Sequence, residues 1–331
     1  MQPASGPTDA RRPEELRVAI DAVRLASRLC RSVRHDLAVA DQATKTDSSP
    51  VTVADLGSQA LISLILAEAF PVDPMVGEED ASLLRSAPEG PITAAVQRHV
   101  AAVRPSVGAT DIIAALDRCG HAGGRQGRFW TLDPVDGTKG FLRGGQYAVA
   151  LALIVDGEAV LGVLGCPNMG PGAIFSALRG NGARTEDLDD PDEPSPIHVS
   201  RPADLRDAVW AESVEGGHSD QRSAAAIARQ LGLRQAPVRM DSQVKYAAVA
   251  RGDAAIYLRL PTNAEYRENI WDHAAGSLLV GEAGGAVTDV DGQPLDMGAG
   301  RQFVRNAGVV ATSGGSLHLA VLEAIRSTQA S

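Results

Sequence analysis

Leu16, Ile20, Val23, Ala26, Leu29 and Val33 recur at the spacing of one helical face, with Arg and Asp between them, and predict an amphipathic helix over residues 13–37. The polar stretch 41–50 then reads as a loop. A second helix is expected over residues 53–70, with Asp55 near its start. Residues 86–127 carry no clear strand signal and end in Gly120-His121-Ala122-Gly123-Gly124, so they read as a surface excursion holding one or two helices. Apolar residues run from Tyr147 to Val155, break at Asp156-Gly157 and resume from Val160 to Leu164, the pattern of a hairpin buried on both faces.

A further strand pair is expected around Arg179-Gly180-Asn181-Gly182, and the acidic, Pro-containing stretch 186–196 reads as a linker. Beyond it the pattern predicts strands over 208–212 and 254–260 and helices over 219–231, 242–250 and 272–283. The last helix stops at Gly284-Gly285, and a hairpin is expected around Asp291-Gly292. Helices and strands alternate in both halves, so the expected class is a layered α/β sandwich. A tail of residues 1–12, a unit over 13–196 and a second over 197–331 complete the expected organisation.

Composition narrows the function. A chain of 331 residues with 44% hydrophobic content has enough apolar side chains for a full core. Its formal charge of -10 argues against a nucleic-acid surface, which is normally basic. The N-terminal residues lack the apolar run of a secretory signal, the apolar stretches read as too short and broken to span a bilayer, and a cytoplasmic monomer is the expectation. Cys30, Cys119 and Cys166 are odd in number and far apart, which fits three ordinary thiols rather than a disulfide framework or zinc site.

The candidate chemistry is acidic. Magnesium takes hard oxygen ligands, and phosphatases often use metal pairs about 3.5–4 Å apart, so such a site gathers carboxylates from separate segments. Four segments offer them: Asp55, Gly77-Glu78-Glu79-Asp80, Asp133-Pro134-Val135-Asp136-Gly137-Thr138 and Trp271-Asp272-His273. Each has a plainer alternative. Asp55 fits a helix-capping box, Glu78 to Asp80 a solvated charge run, Asp133 and Asp136 an Asx turn, and Asp272 a first-turn helix acid.

Together, in this order, the segments resemble the signature of the inositol monophosphatase superfamily. Lys139-Gly140-Phe141-Leu142-Arg143-Gly144, Asp241-Ser242-Gln243-Val244-Lys245-Tyr246 and Ala255-Ile256-Tyr257-Leu258-Arg259-Leu260-Pro261 are similar to its 3'(2'),5'-bisphosphate nucleotidase branch. The resemblance spans residues 17–324 and implies an αβαβα sandwich of the sugar phosphatase type. It implies two or three Mg2+ ions, with Glu78, Asp133 and the Val135 carbonyl on one, and Asp133, Asp136 and Asp272 on a second. A weaker third ion would lie near Glu78 and Asp55.

Asp55 and Thr138 would activate the attacking water, Asp55 as proton acceptor and Thr138 as its orienter. Gly137, Thr138, His218, Ser242, Lys245, Arg259 and Asp272 would hold the substrate, a small nucleoside bisphosphate, and lithium would inhibit. The residues also admit an inositol phosphate phosphatase or a catalytically silent nucleotide sensor. Trp130 and Trp271 read as core supports rather than ligand stackers.

Overall fold

The computed structural model describes residues 12–40, 50–191, 193–217, 219–263 and 265–329. Residues 1–11 of the expected tail and 41–49 of the expected loop lie outside the described residues, as does His218. Arg12 already belongs to the first helix.

Two long helices, α1 (Arg12–Ala40) and α2 (Pro50–Ala69), open the fold. The short strand β1 (Met75–Gly77) follows, then the excursion with α3 (Ser82–Ser86), α4 (Pro91–Val103) and α5 (Ala109–Asp117). Strand β2 (Arg128–Asp136) and the short helix α6 (Thr138–Arg143) come next. The meander β3 (Ala148–Val155), β4 (Glu158–Cys166), β5 (Ala173–Leu178), β6 (Ala183–Asp187) and β7 (Ser195–Ile197) completes a seven-stranded sheet in the order β1-β2-β3-β4-β5-β6-β7. The stretch expected as a linker therefore belongs to this sheet: β6 runs to Asp187, and β7 returns to pair with it.

The second half contributes β8 (Trp210–Glu212), α7 (Gln221–Gln230), β9 (Val238–Arg239), α8 (Val244–Arg251) and β10 (Ile256–Arg259). A 3₁₀ turn (Ile270–Asp272), α9 (Ala274–Glu282), β11 (Ala286–Thr288), β12 (Val309–Thr312) and α10 (Gly315–Gln329) follow. Its five strands lie in the order β11-β12-β10-β8-β9. The hairpin expected around Asp291-Gly292 does not form. The Asp289 carboxylate accepts the backbone N–H of Asp291 and Gln293, closing a turn, and β11 pairs instead with the distant β12.

Side-chain alternation along β3 shows why the layers stack. Val149, Leu151 and Leu153 face one core, shared with α1 and α2, while Ala148, Ala150 and Ala152 face a second core, shared with α8 and α9. Small residues on that second face let α9 approach closely. A Cβ on Gly162 would lie 2.9 Å from the Ala275 carbonyl oxygen. Helices α8 and α9 also pack on the second sheet, whose far face carries α10 and, beside it, α7 around a third core. The result is the expected five-layer αβαβα sandwich.

Residues 52–69 of α2 are long and apolar enough to match a membrane span, against the expectation that no stretch would. The helix is 67% buried over that window and packs between α1, α4, α5 and β2, which is the setting of a core helix.

Candidate active site

Two Asp residues three apart in a regular strand face opposite sides of the sheet. Here Asp133 pairs with Ala150 and Asp136 with Ala148, so β2 carries one residue more than β3 between them. Pro134, which has no N–H for the ladder, sits in this bulge. The extra residue turns both carboxylates toward one cleft, and the Asx turn considered from sequence gives way to a bulged strand end. Gly137 then adopts a left-handed conformation at φ 87° and brings Thr138 to the start of α6. A Cβ at Gly137 would meet the Ser242 side chain at 2.8 Å, so glycine is required for the two segments to touch.

The cleft has a volume of about 340 Å³, within the usual range of small-ligand sites. Glu78, Asp133, Val135, Asp136 and Asp272 line its acidic side. Gly137, Thr138, Ser242, Lys245 and Arg259 line it as well, and the loop residue Gly217 reaches its wall. Asp55 does not line it. It lies buried behind the acidic side, on α2 and not in a cap, because the helix already begins at Pro50. One α2 turn further on, Gln59 fixes the neighbouring segment: its amide donates to the Glu79 carbonyl at 2.7 Å and accepts the Glu79 N–H at 3.0 Å.

The electrostatics follow from crowding. Asp133 is 2% exposed, and burial, then the charges of Glu78, Asp136 and Asp272, push its carboxyl well above the carboxylate range. Burial and Asp272 push Asp136 up to about 6, against the pull of Lys245, Arg259 and the Gln243 N–H, which donates to it at 2.5 Å. Glu78 is exposed by area, yet the protein packed around its carboxyl and the charge of Asp272 raise it to about 7. Burial, then Glu79 and Glu78, raise Asp55.

Asp55 Oδ1 and Asp133 Oδ1 are buried without a hydrogen-bond partner. Orphaned carboxylate oxygens amid mutual repulsion are the donor set of a hard divalent cation, and these residues fit one. Glu268, Asp272 and His273 also bring ligand atoms within 4.8 Å of one another. Glu268, however, is clamped by Arg259 at 2.7 and 2.8 Å, and His273 Nδ1 contacts the Tyr246 hydroxyl at 2.7 Å. The committed partners leave only Asp272 of that trio available, and it lines the cleft as an electrostatic neighbour of Glu78, Asp133 and Asp136.

The cations come from the second half. Lys245 is 3% exposed, and burial lowers its ammonium to about 8 although Asp136 pulls it up. Arg259 faces the cleft rather than solvent. Ser242 is held at φ 64°, a strained left-handed conformation for a residue with a Cβ, and its Oγ accepts the Val244 N–H at 3.2 Å. Asp272 ends the 3₁₀ turn and does not begin α9, which starts at Ala274. Trp130 is a core support: it stacks on Phe70 and donates to Asp73. Helix α7 is capped by Asp220, whose side chain accepts from Arg222 and Ser223.

Gln243 and Glu268, like Gln59, escaped the sequence reading as contributors. Gln243 joins the segments directly: its side-chain amide donates to the Trp271 carbonyl at 2.9 Å and accepts the Gly276 N–H at 3.2 Å, while its own N–H binds Asp136. Glu268 neutralises Arg259. Gln243 lies inside the motif Asp241-Ser242-Gln243-Val244-Lys245-Tyr246, but its partners are distant in sequence. Glu268 carried no signal beyond its place shortly before Trp271-Asp272.

A carboxylate cluster facing Lys245 and Arg259 across one cleft, on an αβαβα sandwich, defines a phosphatase of the inositol monophosphatase family, and the chain belongs to that family, whose model matches residues 12–330. Enzymes of the family are metal-dependent. Among its relatives, the 3'(2'),5'-bisphosphate nucleotidase of Schizosaccharomyces pombe is 45% identical over 320 residues, covering 90% of this chain and 91% of that one. The protein of the same name from Oryza sativa subsp. japonica is 45% identical over 327 residues, covering 90% of each. A probable 3'(2'),5'-bisphosphate nucleotidase 4 of Arabidopsis thaliana is 42% identical over 330 residues, covering 95% and 94%. Among solved structures, an inositol monophosphatase from Anabaena aligns with TM-score 0.64 at 22% identity, covering 95% and 96%. Mycobacterium tuberculosis SuhB aligns with TM-score 0.63 at 22% identity, covering 96% and 97%. These two likenesses establish the fold.

Proposed function

We propose that this chain is a magnesium-dependent 3'(2'),5'-bisphosphate nucleotidase that converts 3'-phosphoadenosine 5'-phosphate to AMP and phosphate, with the 5'-phosphosulfate analogue as a second substrate. The observation that carries this is the pairing in one cleft of a carboxylate cluster, suited to divalent cations, with the ammonium of Lys245, suited to a second anionic group, beside Arg259, which Glu268 holds in place. Full-length relatives at 42–45% identity bearing the nucleotidase name support the substrate.

Glu78, Asp133, Asp136 and Asp272, with the Val135 carbonyl, would hold two Mg2+ ions, and a third would lie near Glu78 and Asp55. Divalent cations at such a site polarise phosphoryl oxygens and lower the pKa of water. The protein's own groups do the rest. Thr138 orients the attacking water at the lip of the cleft, and Asp55 accepts its proton. The new P–O bond forms as the bond to the ribose 3'-oxygen breaks, and that oxygen leaves with a proton taken from solvent water. Lys245, Ser242 and Gly137 hold the remaining phosphate and its nucleoside, and His218 belongs to the same substrate set.

The competing assignment is an inositol phosphatase, which would share the metal site. Phosphate release from 3'-phosphoadenosine 5'-phosphate and from inositol 1-phosphate, with and without Mg2+, separates them, and faster turnover of the inositol ester would overturn the nucleotidase assignment. Lys245→Met sharpens the test. Loss of one charge-assisted contact of roughly 1.5–3 kcal/mol should cut kcat/KM for the bisphosphate by about 10- to 150-fold. A simple phosphomonoester, which lacks the second phosphate, should lose far less.

A further inference from the structure

Arg301 lies outside every motif considered above, yet it touches both walls of the acidic cleft. Its guanidinium donates to the Gly77 carbonyl at 2.5 Å and to the His121 carbonyl at 3.1 Å, gripping the end of β1 immediately before Glu78. The same guanidinium lies over the Trp271 ring, 4.8 Å from its centroid, immediately before Asp272. Its backbone is tied to that wall too: the Arg301 carbonyl accepts the Ile270 N–H at 3.0 Å, and the Phe303 N–H donates to the Glu268 carbonyl at 2.9 Å. A bridge between Asn269 and Gln302 lies between these two bonds.

The first wall belongs to the edge strand of one sheet and the second to the turn leading into α9. Gln59 holds the Glu78 side, and Gln243 joins Asp136 to the Asp272 side, but neither spans from Glu78 to Asp272. Among the described residues, Arg301 pairs with no carboxylate, so its fork is committed to carbonyls and an aromatic face. Planar guanidinium suits this double duty in a way that ammonium does not.

We propose that Arg301 is a positioning residue that sets the distance between Glu78 and Asp272, and through them the affinity of the cleft for divalent cations. The proposal rests on the reading of those carboxylates as cation ligands. Residues that orient ligands without touching the ion commonly change its affinity by about 10- to 100-fold.

The test measures Mn2+ binding to the full chain directly, from the electron paramagnetic resonance signal of free Mn2+, for the unaltered protein, Arg301→Met and Arg301→Lys. In parallel, the Mg2+ concentration for half-maximal phosphatase activity and the melting temperature are recorded. Arg301→Met should weaken Mn2+ binding about tenfold and raise the Mg2+ requirement by a similar factor, with kcat at saturating Mg2+ within a few-fold of the unaltered protein. Arg301→Lys should fall between, keeping one donor and losing the fork.

A lower melting temperature with unchanged Mn2+ affinity would reduce Arg301 to a structural tether and overturn the proposal. If Arg301→Met fails to fold, Arg301→Lys decides on the same criterion. Absence of Mn2+ binding to the unaltered protein would instead refute the cation reading of the carboxylates themselves, a result distinct from a normal site that ignores Arg301.

Discussion

Asp133→Asn should lose at least roughly 10³-fold in phosphatase kcat/KM, about 4 kcal/mol of transition-state stabilisation, while making the metal-free protein more stable. Both effects come from one feature. Asp133 is buried where β2 bulges, with one oxygen unpartnered and with Glu78, Asp136 and Asp272 as its electrostatic neighbours. Asn keeps the shape and removes the charge, so it cannot serve two cations.

The stability effect follows from linkage. Carboxyls raised in the folded state stabilise below their unfolded pKa, and that contribution is lost as pH rises through the folded values, about 6 for Asp136 and about 7 for Glu78. The metal-free protein should therefore lose stability as pH rises through that window, and less so with Asn at 133. Conversely, Mg2+ at a hundred times its dissociation constant should stabilise the unaltered protein by about 2.7 kcal/mol, and Asp133→Asn should show almost none of this. Thermal melts with chelator and with Mg2+, between pH 5 and 8, read both effects.

Asp55→Asn should lower kcat by about 10²- to 10⁴-fold with little change in KM, the signature of a lost proton acceptor rather than lost substrate binding. Asp55 is 4% exposed and held on α2, one turn before Gln59, with an unpartnered oxygen. Helix α2 packs against α6, the helix that Thr138 opens. Burial, then Glu79 and Glu78, already raise the Asp55 carboxyl, so the neutral amide should fold well. Steady-state kinetics at saturating Mg2+, with Mn2+ binding as a control, separates its roles. Unchanged kcat would remove Asp55 from proton transfer, and loss of all Mn2+ binding would recast it as a main metal ligand.

How much of this was legible in the chain depends on whether the determining contacts are local. The α1 face, the β3–β4 hairpin and the glycine stop after α9 rest on short-range pattern, and all of them form. Strand β1 is three residues long and β2 ends in Asp-Pro-Val-Asp, so neither shows clean alternation, and the excursion hid their pairing. Strand β12 and helix α10 also went unread. The turn at Asp289 defeated the expected hairpin because a side chain supplied the acceptor that a strand partner would have supplied.

Within the site, carboxylates that stand in motifs were readable as candidates, whereas the groups that aim them were not. Gln59 reaches across 20 residues to Glu79, Gln243 across 28 to Trp271, and Arg301 across 224 to Gly77. No local spacing encodes such contacts. Gly77 illustrates the point: its lack of a side chain matters because a Cβ there would lie 2.7 Å from the Gln59 side chain and 2.8 Å from the Cys119 Cβ.

The most direct test is anomalous diffraction at the manganese edge from crystals grown with Mn2+ and AMP. Peaks between Glu78, Asp133, Asp136 and Asp272, with the AMP phosphate near Lys245, are the expected result. Manganese found only at Glu268 and His273, or nowhere among the four acidic side chains, would contradict the account.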